Sequence, residues 1–263
     1  MNNQFRLGVF LIFLLCLWSA VVEARVQHKV IPYSHGGVRL EGVLAWDDAR
    51  EGKRPGILVV HEWWGQNDYI RTRAEQLAAL GYVALAVDMY GKGKVTTHAD
   101  EARQWMQQTT ANVEMWQARA SVGLRVLQAD PHVDSARLAA IGYCFGGATV
   151  MQMVYGGAPL KGIVSFHGSL PLPPASQVIN NPAKILIAHG ADDSFLTQDH
   201  ISEFSKALEK AELDWHMVIY GGAQHSFTNP LADQYGMKGI RYQERADRRS
   251  WEHMKLFFHE LFQ

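Results

Sequence analysis

Cysteine is almost missing: the 263 residues contain two, Cys16 and Cys144. That excludes a disulfide-stapled scaffold and any metal centre built on several thiolates. Charge of one sign is missing too. A formal net charge of −1 gives no reason to expect nucleic acid or an anionic membrane as partner. No His stands four residues after His61, so His61-Glu62 is not a paired-histidine zinc motif. Internal repeats, low-complexity tracts and charged tails are absent. The apolar run Leu7 to Trp18 falls short of the ~20 residues that span a bilayer.

What that run supplies is a secretory signal peptide. Arg6 precedes it, and Val22-Glu23-Ala24 offers small residues for cleavage after Ala24. No twin-Arg pair is present, and Cys16 lacks the small residues before it that lipid attachment needs. Residues 1–24 are therefore expected to be removed on export to a periplasm or the exterior, with no stable membrane insertion afterwards. Residues 25–263 then form a single α/β domain. Cys144 is left as the sole thiol of the mature chain, in an oxidising compartment. An unpaired cysteine there is a liability unless it is buried or used.

The hydrophobic pattern alternates strands with helices. Val26 to Ser34 and Val38 to Trp46 read as a hairpin turned at His35-Gly36-Gly37. Gly56 to Val60, Tyr82 to Val87, Leu138 to Ile141, Gly162 to Phe166 and Lys184 to Ala188 are apolar runs, as strands buried on both faces require. Asp214 to Tyr220 adds another strand. Helices are expected over Ile70 to Leu80, as one or two segments between His98 and Ala129, to about Tyr155 after the Leu138 strand, over Thr197 to Ala211, and over Ala246 to Phe262. The sum is a mostly parallel central sheet with an N-terminal antiparallel hairpin and helices on both faces.

Gly142-Tyr143-Cys144-Phe145-Gly146-Gly147 follows the Leu138 strand directly. A buried strand running into Gly-x-Cys-x-Gly and then a helix is the thiol form of a nucleophile elbow. The sharp turn lifts the side chain at its tip above the sheet edge. The next helix aims free N–H groups and its positive end at that side chain, which favours a thiolate and an oxyanion. A thiol nucleophile also needs a base, and the base needs an orienting carboxylate. In the order nucleophile, acid, histidine, the candidates are Cys144, Asp193 or its neighbour Asp192, and His225 in Gly221-Gly222-Ala223-Gln224-His225. All follow short apolar strands, where parallel sheets gather function.

With His61-Glu62-Trp63-Trp64-Gly65, Asp88-Met89-Tyr90, Gly-Tyr-Cys-Phe-Gly-Gly, Gly-Ala-Asp-Asp-Ser-Phe and Gly-Ala-Gln-His-Ser-Phe in this order, the chain resembles the dienelactone hydrolase (carboxymethylenebutenolidase) family of α/β-hydrolases. The resemblance implies a Cys144–Asp193–His225 triad. It implies a thioester acyl-enzyme formed from a small ester or lactone, with no cofactor and no metal. It further implies that Glu62 accepts the thiol proton when substrate binds, and that the backbone N–H groups of Trp63 and Phe145 form the oxyanion hole.

Family members that open dienelactone carry two arginines for the substrate carboxylate. Here Lys92 and Asn229 occupy those positions, the first without a bidentate fork and the second without charge. Dienelactone itself is thereby disfavoured as substrate. Lys92 and Asn229 remain expected substrate contacts, along with Trp64, Tyr90, His167 and Phe227 as aromatic lining. An acyltransferase using the same nucleophile, and a non-catalytic binding protein on the same scaffold, stay open as alternatives. The oligomeric state is not encoded legibly.

Overall fold

The computed structural model describes residues 25–175 and 179–263, so the expected signal peptide lies outside the described residues. Strands β1 (Val26–His35) and β2 (Val38–Asp47) pair antiparallel, with His35 opposite Val38. The two residues between them, Gly36 and Gly37, have φ of +55° and +76°. A two-residue hairpin turn needs such positive values at both positions, and glycine adopts them without strain.

Six further strands complete one sheet: β3 (Arg54–Val60), β4 (Val83–Val87), β5 (Val133–Tyr143), β6 (Gly162–Phe166), β7 (Lys184–Gly190) and β8 (Trp215–Tyr220). The order is β1-β2-β4-β3-β5-β6-β7-β8, and every pairing from β4 to β8 is parallel. β5 begins earlier than its apolar run suggests. Val133 and Asp134 pair with Arg54 and Pro55, the register then shifts, and Leu138 meets Gly56. The irregular polar stretch Ser135-Ala136-Arg137 hid that start.

Adjacent side chains on each strand point to opposite faces. Leu58 and Val60 join a core cluster with Leu124 and Leu127 of α3 (Val113–Gln128) and Phe204 of α5 (Gln198–Lys210). Ile57 and Val59 join a second one with Ile70 and Leu77 of α1 (Asp68–Ala79) and Phe257 and Phe258 of α6 (Glu244–Leu261). The sheet is thus covered on both sides. α4 (Phe145–Tyr155) is buried along its whole length, as a helix apolar on all sides must be.

The segment left as one or two helices is two, α2 (Ala99–Thr110) and α3. Asn112 separates them by accepting the Met115 N–H at 2.9 Å through its side chain, which caps α3. A single 3-10 turn over Ala232–Tyr235 had no readable pattern in the sequence. Among the described residues no helix is long and apolar enough to cross a membrane.

Candidate active site

Strand order reverses at β3, because β4 lies on one side of it and β5 on the other. Such a switch point opens a crevice between the loops leaving the two strands. The loop after β3 carries His61, Glu62, Trp63 and Trp64, and the turn after β5 carries Cys144.

Cys144 has φ 53° and ψ −113°, outside the ordinary wells of an L-residue. Its neighbours enforce that geometry. A Cβ on Gly142 would sit 2.0 Å from the Gly146 carbonyl oxygen, and one on Gly146 would sit 2.2 Å from that of Val60. Only bare backbone lets β5, β3 and the start of α4 approach so closely. Cys144 N–H donates to the Phe166 carbonyl at 3.0 Å, which anchors the turn on β6. Among the described residues the other non-glycines with positive φ are His167 and Ser226, at 39° and 55°, and Glu212, just past α5, at 54°. Strain held by surrounding structure collects where function needs it.

His225 Nδ1 lies 2.8 Å from Asp193 Oδ2, and Asp193 Oδ1 accepts the Phe195 N–H at 3.0 Å. Asp193 is buried and Asp192 exposed, so it is Asp193 that meets the imidazole. Cys144 and His225 line one cavity of about 190 Å³. Burial alone would lower the His225 pKa, but the nearby Cys144 sulfur and the hydrogen bond and charge of Asp193 raise it to about 10. Burial pulls Asp193 the other way, yet its hydrogen bond and attraction to His225 hold it below the ordinary carboxylate range. The backbone of His225 is fixed from the far side, donating to the Gly239 carbonyl at 3.2 Å and accepting from Arg241 N–H at 3.0 Å.

Glu62 is buried, with Oε1 accepting from Ser226 Oγ at 2.7 Å and Oε2 from Asn229 Nδ2 at 2.6 Å. Burial raises its pKa, and these two neutral donors only partly oppose the rise. His61 is wholly buried and held neutral by desolvation. Its Nε2 accepts the Met89 N–H at 3.2 Å, so Nδ1 carries the proton and donates to the Glu62 carbonyl at 2.5 Å. That bond, with the Gly65 N–H that the same carbonyl accepts at 3.3 Å, fixes the plane of the Glu62–Trp63 peptide. Since a trans peptide points its C=O and N–H in opposite directions, the Trp63 N–H direction is fixed with it.

A polar layer lies behind the imidazole. His167, buried and kept neutral by desolvation and the His225 charge, packs edge-on against His225 at 5.2 Å. Its Nε2 is 2.7 Å from Thr228 Oγ1, which also meets Tyr69 Oη at 2.6 Å. Arg73 donates to the Thr228 carbonyl at 2.6 Å and to Asp247 at 2.5 Å.

Several expected substrate contacts are placed elsewhere. Lys92 is exposed and paired with Glu41 at 2.5 Å. Asn229 is fully buried and holds Glu62. Trp64 is buried and stacked on Tyr235, with centroids 4.1 Å apart, and Phe227 is core. Tyr90 packs against His61 and Phe145. The cavity walls are instead formed by Trp63, Phe145, Met106, Ser169, Phe195, Ser226, Met237 and Ile240. Of these the sequence offered Trp63 and Phe145. Ser226 and Phe195 stood in quoted motifs unread, each beside a triad candidate, whereas Met106, Ser169, Met237 and Ile240 arrive by tertiary folding alone. Among the described residues no group of three or more acidic, histidine or cysteine side chains is arranged to hold a metal ion.

The sheet topology and the crevice at its switch point are those of an α/β-hydrolase fold, and the family match makes the chain a hydrolase of esters or lactones. The chain belongs to the dienelactone hydrolase family, whose profile matches residues 40–262. It is 25% identical over 269 residues to a protein of Saccharolobus solfataricus named "Putative carboxymethylenebutenolidase", covering 89% of this chain and 99% of that one. A Yersinia pestis protein of the same name is 25% identical over 208 residues, covering 76% and 78%. Among solved structures, a dienelactone hydrolase-like promiscuous phosphotriesterase from metagenomic libraries is similar with a TM-score of 0.87 at 38% identity, covering 90% of this chain and 99% of that chain.

Proposed function

We propose that this hydrolase works through Cys144 as nucleophile, with His225 as the acid for the leaving group and the base for water, and Asp193 orienting the imidazole. The observation that carries the reading is an imidazole hydrogen-bonded to a buried carboxylate and lining one cavity with a thiol on a strained turn. The Cys144 thiolate attacks the ester carbonyl carbon, and the C=O pair moves onto oxygen. As the tetrahedral species collapses, the C–O bond to the leaving group breaks and imidazolium gives that oxygen its proton. Water, deprotonated by His225, then adds to the thioester, the C–S bond breaks, and the acid leaves.

The same reading gives oxyanion binding to Phe145 N–H, which as the first donor of α4 has no intrahelical acceptor, and to Trp63 N–H. Glu62, raised by burial, receives the thiol proton as substrate enters, so the proton given to the leaving group is one that His225 already carries, and Glu62 returns its proton to Cys144 once the product acid has left. Ser226 and Asn229 hold its two oxygens and so tie the β3 loop to the His225 loop. The phosphotriesterase activity of the relative from metagenomic libraries fits such a nucleophile, since a thiolate and an oxyanion hole also suit a neutral phosphorus ester.

Asp193→Asn tests the triad by its pH dependence. Imidazolium is the acid, so kcat/KM of the wild type falls as pH rises past about 10. A carboxylate at hydrogen-bond distance stabilises the cation, so its removal moves this alkaline limb down by about one to three pH units. An unmoved limb would show that Asp193 does not govern His225. The His61 contact carries a separate expectation. His61→Leu, which frees the Glu62–Trp63 peptide, lowers kcat by up to ~10²-fold with KM little changed. His61→Asn, which can still donate from the Nδ1 position, keeps most of it. Equal rates for the two folded variants would detach His61 from the oxyanion hole.

A further inference from the structure

A cleft of about 600 Å³ opens beside the Cys144 cavity, walled chiefly by Met106, Trp116, Phe145, Leu170, Phe195 and Leu196. Met106, Phe145, Ser169 and Phe195 also line the Cys144 cavity, so the two spaces adjoin across these shared walls. Among the described residues neither wall contains Lys, Arg, Asp or Glu. The cleft's one histidine, His200, is engaged through Nε2 with the Leu170 carbonyl at 2.8 Å. Lys92 is paired with Glu41, and Arg73 donates to Asp247 and the Thr228 carbonyl. Phe195 is 53% exposed, with its ring edge-on to the catalytic imidazole candidate at 4.9 Å. Apolar side chains left facing solvent around a concave site are what a ligand covers.

We propose that this cleft binds an uncharged apolar or aromatic arm of a neutral carboxylic ester, and that an arm ending in a carboxylate is rejected. The proposal rests on the cysteine-hydrolase reading above, since the arm must hang from a carbonyl at Cys144. A carboxylate entering a wall without a cation, with only the hydroxyls of Thr110, Ser169 and Thr197 to meet it, loses more from its water shell than it regains. A methylene chain gains instead, by about three- to fourfold in kcat/KM for each CH₂ buried.

The test is a series of p-nitrophenyl esters, acetate through octanoate, set against p-nitrophenyl hydrogen adipate, which matches the hexanoate in length but ends in a carboxylate. The expected result is a rise with chain length, carried mainly by KM, and a kcat/KM for the adipate at least about tenfold below that of the hexanoate. Thr110→Arg, which puts a cation on the cleft wall, is expected to narrow that gap by about tenfold or more. A flat chain-length profile, an adipate as good as the hexanoate, or a gap untouched by Thr110→Arg overturns the cleft assignment while leaving the hydrolase reading intact. Turnover of none of the esters overturns both.

Discussion

Cys144→Ala lowers kcat/KM for p-nitrophenyl butyrate by about 10⁴-fold or more, the scale on which removing a covalent nucleophile acts when the rest of the site survives. Alanine keeps the Cβ and therefore the strained φ of 53°, so the turn, the α4 start and the imidazole stay where they are. Thermal unfolding of the variant should stay within a few degrees of the parent, because one partly exposed sulfur contributes little packing. The comparison separates chemistry from folding. A variant that melts like the parent and hydrolyses like the parent would remove Cys144 from the mechanism.

Gly142→Ala is expected to give the largest loss of stability. The added methyl meets the carbonyl oxygen and carbon of Gly146 at 2.0 and 2.2 Å, both backbone atoms that cannot rotate away. Relief requires β5 or α4 to move. α4 is buried along its length, so its movement opens the core on that face of the sheet. A cost above about 4 kcal/mol follows, which for a chain of this size lowers the melting temperature by roughly 8–16 °C. Gly221→Ala is the control: a Cβ there meets nothing within 4 Å, so its melting temperature should stay near that of the parent. Similar melting temperatures for the two variants would mean that the elbow does not need its bare backbone.

How far the sequence speaks depends on what shapes each element. β4 and β6 are buried on both faces, so Val83–Val87, apolar throughout, and Gly162–Phe166, broken only by the buried Ser165, mark them almost to the residue. Asp193 and His225 were reachable for a related reason. Each sits just past a buried strand, where a parallel sheet leaves room for polar groups and where glycines mark the turn. The start of β5 was not reachable, because its first pairs precede a register shift that breaks the apolar pattern.

The walls of the site were less legible than its chemistry. Trp64, Tyr90 and Phe227 are aromatics on site-bearing loops, and the sequence alone does not separate an aromatic that lines a cavity from one that packs beneath it. Trp64 turned under the loop onto Tyr235, and Phe227 turned into the core. Lys92 and Asn229 raised an expectation of substrate contact from their positions, but each is satisfied by a carboxylate of its own chain, Glu41 and Glu62 respectively. Met106 comes from α2 and Met237 and Ile240 from the stretch after the 3-10 turn, and nothing local to those residues announces a role.

The most direct measurement is the mass of the enzyme quenched with acid during turnover of a slowly hydrolysed ester, followed by peptide mapping. The acyl group should be found on the peptide containing Cys144, in a linkage cleaved by neutral hydroxylamine, and should vanish in Cys144→Ala. An acyl adduct on another residue, or steady hydrolysis with Cys144 never acylated under any quench, would contradict the account.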